Sequence, residues 1–245
     1  MKKGIYLLPN LFTTGNLLCG FSSVIASING RYIQAALVIL VAVVLDSLDG
    51  KVARMTNSAS AFGVEYDSLA DLLSFGMAPG LLIYAWTLHY FGPLGWVAAF
   101  VFVICGALRL ARFNVQAMTI QRSAFIGLPI PAAAGVMASS VLLFQQLYGD
   151  LDSIDPSRPL PAVFLVCALA LLMVSNVKYR SFKHLRRQRI RPVHLFLVIG
   201  CAVPIMATMP SLAVFLMFFG YALSGPIEAL MRRKKTKDEV VTAEQ

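Results

Sequence analysis

Long, uninterrupted apolar runs dominate the hydrophobic pattern of this chain. A bilayer-spanning helix needs about 20 predominantly apolar residues, and eight runs approach or exceed that length. They cover residues 9–27, 33–48, 66–90, 93–113, 127–148, 160–177, 193–208 and 210–228. The runs are continuous rather than alternating, which favours helices over the strands of a barrel. The pattern predicts an all-α, polytopic membrane helical bundle with about eight transmembrane helices.

Composition supports a membrane location. Hydrophobic residues make up 58% of the 245 residues and charged residues only 13%, whereas soluble domains carry roughly 25% charged residues. The mean hydropathy is +0.73. We expect one transmembrane catalytic domain over residues 1–230, followed by a basic, disordered tail over 231–245.

The basic residues indicate how the helices are oriented. If the N-terminus is cytoplasmic and the chain crosses eight times, 19 of the 21 lysines and arginines fall on the cytoplasmic side. The positive-inside rule therefore places both termini and the loop 50–62 in the cytoplasm. Basic segments 178–191 and 232–237 either bind anionic lipid headgroups or only fix orientation. The net charge of +9 thus indicates membrane lipids rather than nucleic acid as the partner.

Four aspartates are unusual in so apolar a chain. Asp46 and Asp49 are spaced i,i+3, and Asp67 and Asp71 are spaced i,i+4, so each pair shares one helix face. A charge at the centre of a spanning helix costs about 2.5–3.5 kcal/mol, which argues against a purely structural role. We expect the second helix to end at the first pair, residues 50–63 to reverse the chain, and the third helix to begin with the second pair.

Carboxylates that face one another in this way suit a divalent cation. Hard oxygen ligands favour Mg²⁺, Mn²⁺ or Ca²⁺, and the absence of nearby histidine or cysteine argues against zinc. Two ions in one cluster are a common device of phosphoryl chemistry. Arg54 supplies a cation suited to phosphate, while Gly50 and Gly63 leave room for a ligand near the backbone. The pattern predicts a metal-dependent site for a pyrophosphate-containing substrate.

An acidic cluster can also serve ion pairing, ion transport or passive binding. Ion pairing alone does not account for the acidic cluster, because it has five acidic residues including Glu65 and only two nearby basic residues, Lys51 and Arg54. A divalent-cation or proton transporter would spread its acids through the membrane depth rather than crowd them at one end of two helices. A non-catalytic lipid-binding protein would bind metal without turnover. Transport and passive binding stay open on sequence alone.

The acidic segment resembles the signature of a known family, the CDP-alcohol phosphotransferases. Eight residues match at fixed spacing: Asp46-x2-Asp49-Gly50-x2-Ala53-Arg54-x8-Gly63-x3-Asp67-x3-Asp71. Family members displace CMP from a CDP-linked substrate with an alcohol. The resemblance also implies a six-helix core, so two of the eight predicted helices would be additional, and it implies a homodimer.

Further stretches are similar to the membrane-integrated phosphatidylserine synthases of bacteria and archaea. They are PNLFTTGNLLCGF, GVEYDSLADLLSFGMAP, ALRLARFN and GLPIPAAA, all within about the first 135 residues. The resemblance implies that CDP-diacylglycerol and L-serine give phosphatidylserine and CMP in a prokaryotic inner membrane, at a site facing the cytoplasm. Glycerol phosphate, inositol phosphate or choline as acceptor, or an archaetidyl donor, would use the same aspartates.

The resemblance also implies roles for individual residues. Asp46, Asp49 and Asp67 would bind two Mg²⁺ or Mn²⁺ ions, and Asp71 would contact the second ion and take the serine hydroxyl proton. CDP-diacylglycerol would be bound by a separate group of residues: Asn10, Gly50, Arg54, Ser60 and Gly63. The serine carboxylate needs a cation, for which we expect Arg109 and Arg112, with Asn114 nearby. The GLPIP stretch is expected to delay the next helix at the same face.

Overall fold

A computed structural model describes residues 7–56, 60–117, 124–149, 160–180 and 206–243. It is helical apart from two three-residue strands, as predicted. The helices are α1 (Leu7–Ile28), α2 (Tyr32–Thr56), α3 (Ala61–Asp71), a π-helix (Leu72–Met77), α4 (Ala78–Trp86), a 3₁₀ turn (Leu88–Phe91), α5 (Pro93–Ala117), α6 (Ile130–Tyr148), α7 (Leu160–Val174) and α8 (Pro210–Ala243). The strands are β1 (Ala124–Ile126) and β2 (Lys178–Arg180).

Six helices in the described part of the chain are long and apolar enough to cross a membrane. They cover Asn10–Ile28, Tyr32–Val52, Ala61–Trp86, Pro93–Gln116, Ile130–Tyr148 and Pro210–Met231. A seventh apolar helix, α7, is shorter. The predicted segment 193–208 lies almost wholly outside the described residues. The chain is therefore an integral membrane protein, and the total of eight spans remains a prediction.

The first two helices form a tight hairpin. Gly30, with φ +72°, allows the sharp turn between them. Small side chains then let the helices approach closely, as Ala35, Ala36 and Ala42 are fully buried. The hydroxyl of Ser23 donates to the carbonyl of Ala35 at 3.1 Å. This packing fixes α1 beside the end of α2 that carries the first aspartate pair.

The reversal between α2 and α3 is shorter than the sequence predicts. Helix α2 continues through Gly50 to Thr56, and α3 already begins at Ala61. Ser60 ends the connection as the N-cap of α3, because its side chain accepts a hydrogen bond from the Gly63 amide at 3.0 Å. Both aspartate pairs thus lie inside helices, and the expectation that Gly50 begins the turn is wrong.

The third predicted segment is one span with an irregular centre. The π-helix Leu72–Met77 directly follows Asp71, and α4 begins with Pro79 in its first turn. Proline has no N–H to donate to the carbonyl four residues earlier, which favours a widened turn before it. Ser74 and Phe75 in this turn are fully buried. Widened turns of this kind are frequent at functional sites.

The second half of the described chain closes the bundle around α6. As predicted for the GLPIP stretch, α6 begins only at Ile130, with Pro129 as its N-cap. Strands β1 and β2 pair in antiparallel register, with Phe125 opposite Tyr179. Tyr179 is buried, donates to the carbonyl of Ala222 at 2.9 Å, and ties this strand pair to α8. Burial raises the pKa of its hydroxyl, so Tyr179 stays neutral.

Helix α8 extends further than the apolar pattern indicates. It continues to Ala243, so the basic segment 232–237 lies on its last turns. Pro226 lies inside this helix. The division into a catalytic domain over 1–230 and a separate disordered tail remains a prediction.

Candidate active site

Three of the four aspartates converge at one end of the α2–α3 pair. Asp46, Asp49 and Asp67 each offer a carboxylate oxygen, and these oxygens lie within 4.8 Å of one another. Asp49 is buried, while Asp46 and Asp67 are half-buried. The i,i+3 spacing places Asp46 and Asp49 on one face of α2, and the short connection brings α3 back against that face. The result is a compact acidic cluster from two helices.

Asp71 borders this cluster but is placed differently. It is buried at the end of α3, where Asn16 of α1 donates to its Oδ1 at 3.1 Å. The Asp46 side chain is its close acidic neighbour. Asp71 is thus held by α1 on one side and faces the acidic cluster on the other.

The donor set of the cluster fits a divalent cation of the Mg²⁺ or Mn²⁺ type. All its ligand atoms are hard carboxylate oxygens, which such ions prefer. Oδ1 of Asp67 is buried and has no hydrogen-bond partner among the described residues. A buried carboxylate oxygen without a partner destabilises the fold unless a cation or a hydrogen-bond donor contacts it. The structure therefore provides a ligand atom that its own hydrogen bonds leave unused.

Arg109 of α5 lies in the electrostatic field of the same aspartates. Its guanidinium interacts with Asp71 and Asp46, and with Tyr221 of α8. It also lies 5.6 Å from the ring centroid of Phe113. Within the described part of the chain it forms no ion pair. A half-buried cation placed in this way can receive an anionic group that enters beside Asp71.

Arg112, one turn further along α5, is directed elsewhere. It donates to the carbonyl of Val174 at 3.4 Å and to Oδ1 of Asn176 at 2.6 Å. These contacts tie α5 to the C-terminal end of α7, where a cation is favourable. The two arginines that the sequence treats alike thus have different surroundings, and only Arg109 interacts with the aspartates.

Asn114 joins α5 to α3. Its amide nitrogen donates to Oγ of Ser68 at 2.9 Å and to Oε2 of Glu65 at 3.4 Å. Ser68 is adjacent to Asp67, so these bonds hold the α3 turn that carries the second aspartate pair. In this conformation the Asn114 amide is already engaged with protein groups.

Some of the residues expected to bind the CDP-linked lipid lie close together in the structure. The side-chain oxygen of Asn10 lies 3.6 Å from the position that a Cβ at Gly63 would take, and Ser60 Oγ lies 3.1 Å from it. Gly63 therefore leaves open the space between α1 and the start of α3. Gly50 is half-buried on α2, one residue after Asp49. Arg54 lies on the last turns of α2, and its side chain falls outside the described residues.

Two polar residues of α1 belong to the site although the sequence pattern did not single them out. Thr13 Oγ1 donates to Oδ2 of Asp49 at 3.3 Å, and Asn16 contacts Asp71. Both are almost fully buried. Their i,i+3 spacing, which puts them on one face of a membrane helix, is the signal that could have identified them.

A family model for CDP-alcohol phosphatidyltransferase matches residues 6–225. The match spans the acidic cluster, Arg109 and the N-terminal part of α8. The chain belongs to the CDP-alcohol phosphatidyltransferase family, whose members transfer a phosphatidyl group to an alcohol and depend on a divalent metal ion. The prediction of this family from the aspartate signature is confirmed.

Relatives with named activities align over most of the chain. A CDP-diacylglycerol–serine O-phosphatidyltransferase of Helicobacter pylori is 40% identical over 185 residues, covering 74% of this chain and 75% of the relative. One of Bacillus subtilis is 35% identical over 176 residues, covering 72% and 91%. An archaetidylserine synthase of Methanothermobacter thermautotrophicus is 38% identical over 180 residues, covering 70% and 69%.

Proposed function

We propose that this enzyme transfers the phosphatidyl group of CDP-diacylglycerol to the hydroxyl of L-serine, which gives phosphatidylserine and CMP. The observation that carries the proposal is the position of the Arg109 guanidinium, which acts on Asp71 and Asp46 at the edge of the acidic cluster. A carboxylate base and a cation that interact electrostatically suit an acceptor with both a hydroxyl and a carboxylate. Two of the relatives described above are named CDP-diacylglycerol–serine O-phosphatidyltransferase, and the third is named archaetidylserine synthase.

Asp46, Asp49 and Asp67 would hold the divalent metal, Mg²⁺ or Mn²⁺ (Ca²⁺ also suits the ligand chemistry), with Asp71 contacting a second ion. When bound, the metal would neutralise the pyrophosphate and the departing phosphate of CMP. The unpartnered Oδ1 of Asp67 supports its place as a ligand. Thr13 orients Asp49 by donating to the carboxylate oxygen Oδ2.

Asp71 would act as the general base. A serine hydroxyl is a weak nucleophile, and a carboxylate that takes its proton as the new bond forms makes it a better one. The serine oxygen forms a bond to the phosphorus of the phosphatidyl group, the bond from that phosphorus to CMP breaks, and the proton passes to Asp71. Burial of Asp71 limits competing water at the same position.

Arg109 would bind the carboxylate of serine and so orient its hydroxyl toward Asp71. Planar guanidinium groups suit carboxylates because they donate two parallel hydrogen bonds. Arg112 is engaged with the end of α7, and Asn114 with Ser68 and Glu65. We therefore assign the serine carboxylate to Arg109 first, and keep Arg112 and Asn114 as supports of the surrounding helices.

The nucleotide end of CDP-diacylglycerol would lie between α1 and α3. The open space at Gly63, bordered by Asn10 and Ser60, supports this position. Gly50 and Arg54 would contact the same substrate from α2. Its acyl chains would extend into the bilayer between the helices.

We also propose that the site faces the cytoplasm of a prokaryotic inner membrane, with both termini on that side. The support is the concentration of lysine and arginine near one end of the helices. A homodimer is proposed on the family resemblance alone.

The test is release of CMP by the purified protein in detergent, with Mg²⁺ or Mn²⁺, from CDP-diacylglycerol and separately from a CDP-archaeol donor. Serine, glycerol 3-phosphate, inositol phosphate and choline are supplied in parallel. We expect release only with serine. Release with another acceptor alone would contradict the assignment of serine while keeping the family. No release from folded protein, combined with ion flux in liposomes, would favour the transporter alternative.

A further inference from the structure

An asparagine of the first helix contacts the proposed base. Asn16 is fully buried, and its Nδ2 donates to Oδ1 of Asp71 at 3.1 Å across 55 residues of sequence. The amide nitrogen is the donor in this contact, because an ionised carboxylate oxygen only accepts hydrogen bonds. Of the two carboxylate oxygens of Asp71, the contact occupies one and leaves Oδ2 for other groups.

The backbone around Asn16 is fixed by the π-helix that follows Asp71. Ser74 in this widened turn donates from Oγ to the carbonyl of Asn16 at 2.9 Å. Gly20, one turn further along α1, permits the close approach, since a Cβ there would lie 2.7 Å from the Cα of Ser74. The segment that follows Asp71 and the helix that carries Asn16 are therefore packed closely together next to the Asn16–Asp71 hydrogen bond.

The other amide atom of Asn16 shows that packing alone does not account for this residue. Its Oδ1 is buried and has no hydrogen-bond partner among the described residues. A buried amide oxygen without a partner destabilises a fold, whereas leucine has a similar size and no such requirement. Costly buried polar groups that persist are characteristic of functional sites.

We infer that Asn16 is a positioning residue for the transfer to serine, acting through Asp71. Its N–H holds Oδ1, so that Oδ2 is presented to the acceptor hydroxyl and takes its proton while the oxygen–phosphorus bond forms and the bond to CMP breaks. The inference rests on the proposed function. It predicts that Asn16 contributes to turnover and little to binding of the lipid.

The variant Asn16→Leu tests this role, because it keeps the volume of the side chain and removes both the donor and the unpartnered oxygen. We expect kcat for CMP release with serine to fall about 10–100-fold, the range typical of lost supporting contacts. The KM for CDP-diacylglycerol should stay within about threefold of the wild type. The thermal midpoint in detergent should be equal to or above that of the wild type. A residue needed only for packing would not combine lower turnover with unchanged or higher stability.

Asn16→Asp is the second variant, since it keeps the shape and replaces the donor by an oxygen facing Asp71. Ser27→Ala is the control, because Ser27 is a buried polar residue of the same helix whose hydroxyl donates to the Ser23 carbonyl at 2.9 Å, and we expect wild-type turnover from it. Wild-type kcat in either folded Asn16 variant would overturn the inference, as would failure of both to fold. An inactive wild type would instead contradict the proposed function.

Discussion

Thr13 Oγ1 lies 3.3 Å from Oδ2 of Asp49, so a hydroxyl of the first helix supports one of the proposed metal ligands. Thr13 is almost fully buried, and it precedes Asp49 by 36 residues in the sequence. Contacts that orient a ligand in this way commonly change metal affinity about 10–100-fold when removed.

Thr13→Val should therefore raise the Mg²⁺ or Mn²⁺ concentration that gives half-maximal activity by about 10–100-fold, with a smaller change at saturating metal. The substitution keeps the shape of the side chain and removes only the hydroxyl. Thr13→Ser retains the donor and should remain within about threefold of the wild type. A metal titration of the three proteins checks this, and an unchanged midpoint for Thr13→Val would show that Asp49 needs no support from α1.

Replacement of Arg109 separates acceptor binding from lipid binding. Arg109→Ala should raise the KM for serine by more than about tenfold and change the KM for CDP-diacylglycerol much less, because a charged hydrogen bond to a carboxylate is lost. Steady-state kinetics with each substrate varied in turn measures the two constants. Equal effects on both would contradict the assignment of Arg109 to the serine carboxylate.

Replacement of Arg112, one turn further along α5, is the comparison for Arg109→Ala. Arg112→Ala removes the hydrogen bonds to Val174 and Asn176, so we expect a lower thermal midpoint and a weaker effect on the serine KM than for Arg109→Ala. A larger serine effect at Arg112 than at Arg109 would reverse the roles given to the two residues.

Gly20 is predicted to be required for the approach of α1 to the π-helix. Gly20→Ala places a Cβ 2.7 Å from the Cα of Ser74, and overpacking of this kind costs about 1–3 kcal/mol. We expect a lower thermal midpoint and reduced turnover, because the backbone next to Asp71 must move.

Gly15→Ala is the matched control on the same helix. Its Cβ would meet Leu45 Cδ1 at 3.5 Å, an ordinary contact, and alanine favours a helix over glycine by about 0.5–1 kcal/mol. The control should be as stable as the wild type or more so. Similar thermal midpoints for the two variants would show that the Gly20 contact is not tight.

Asp71→Asn should abolish CMP release while CDP-diacylglycerol binding stays largely intact. The amide cannot take the proton of the serine hydroxyl, whereas its size matches the carboxyl group. Binding of a labelled CDP-diacylglycerol and turnover with serine, measured on the same preparation, check the prediction. Activity near that of the wild type would remove Asp71 as the base.

The sequence predicts which acidic residues come together better than it predicts the shape of the site. The spacing of Asp46, Asp49, Asp67 and Asp71 predicts two acidic helix faces, because side-chain periodicity is a local property, and the structure brings three of these carboxylates together. The sequence analysis places the end of α2 too early, because Gly50 alone does not stop a helix when good helix formers follow it.

Contacts between distant residues account for most of what the sequence could not predict. The bond between Asn16 and Asp71 spans 55 residues, and the bond between Arg112 and Asn176 spans 64. Arg109 and Arg112 look equivalent in the sequence, and only the packing of α5 against α7 separates their roles. The π-helix after Asp71 also contacts α1, through the bond from Ser74 to the carbonyl of Asn16, which periodicity alone does not indicate.

The most direct test of the central claim follows the oxygen of the acceptor. Serine labelled with ¹⁸O in its hydroxyl group is supplied to the purified enzyme with CDP-diacylglycerol and Mg²⁺ or Mn²⁺, and both products are analysed by mass spectrometry. Attack of the serine oxygen on phosphorus predicts that the label is retained in phosphatidylserine and that CMP is unlabelled. Release of CMP without labelled phosphatidylserine would contradict the proposed transfer to serine.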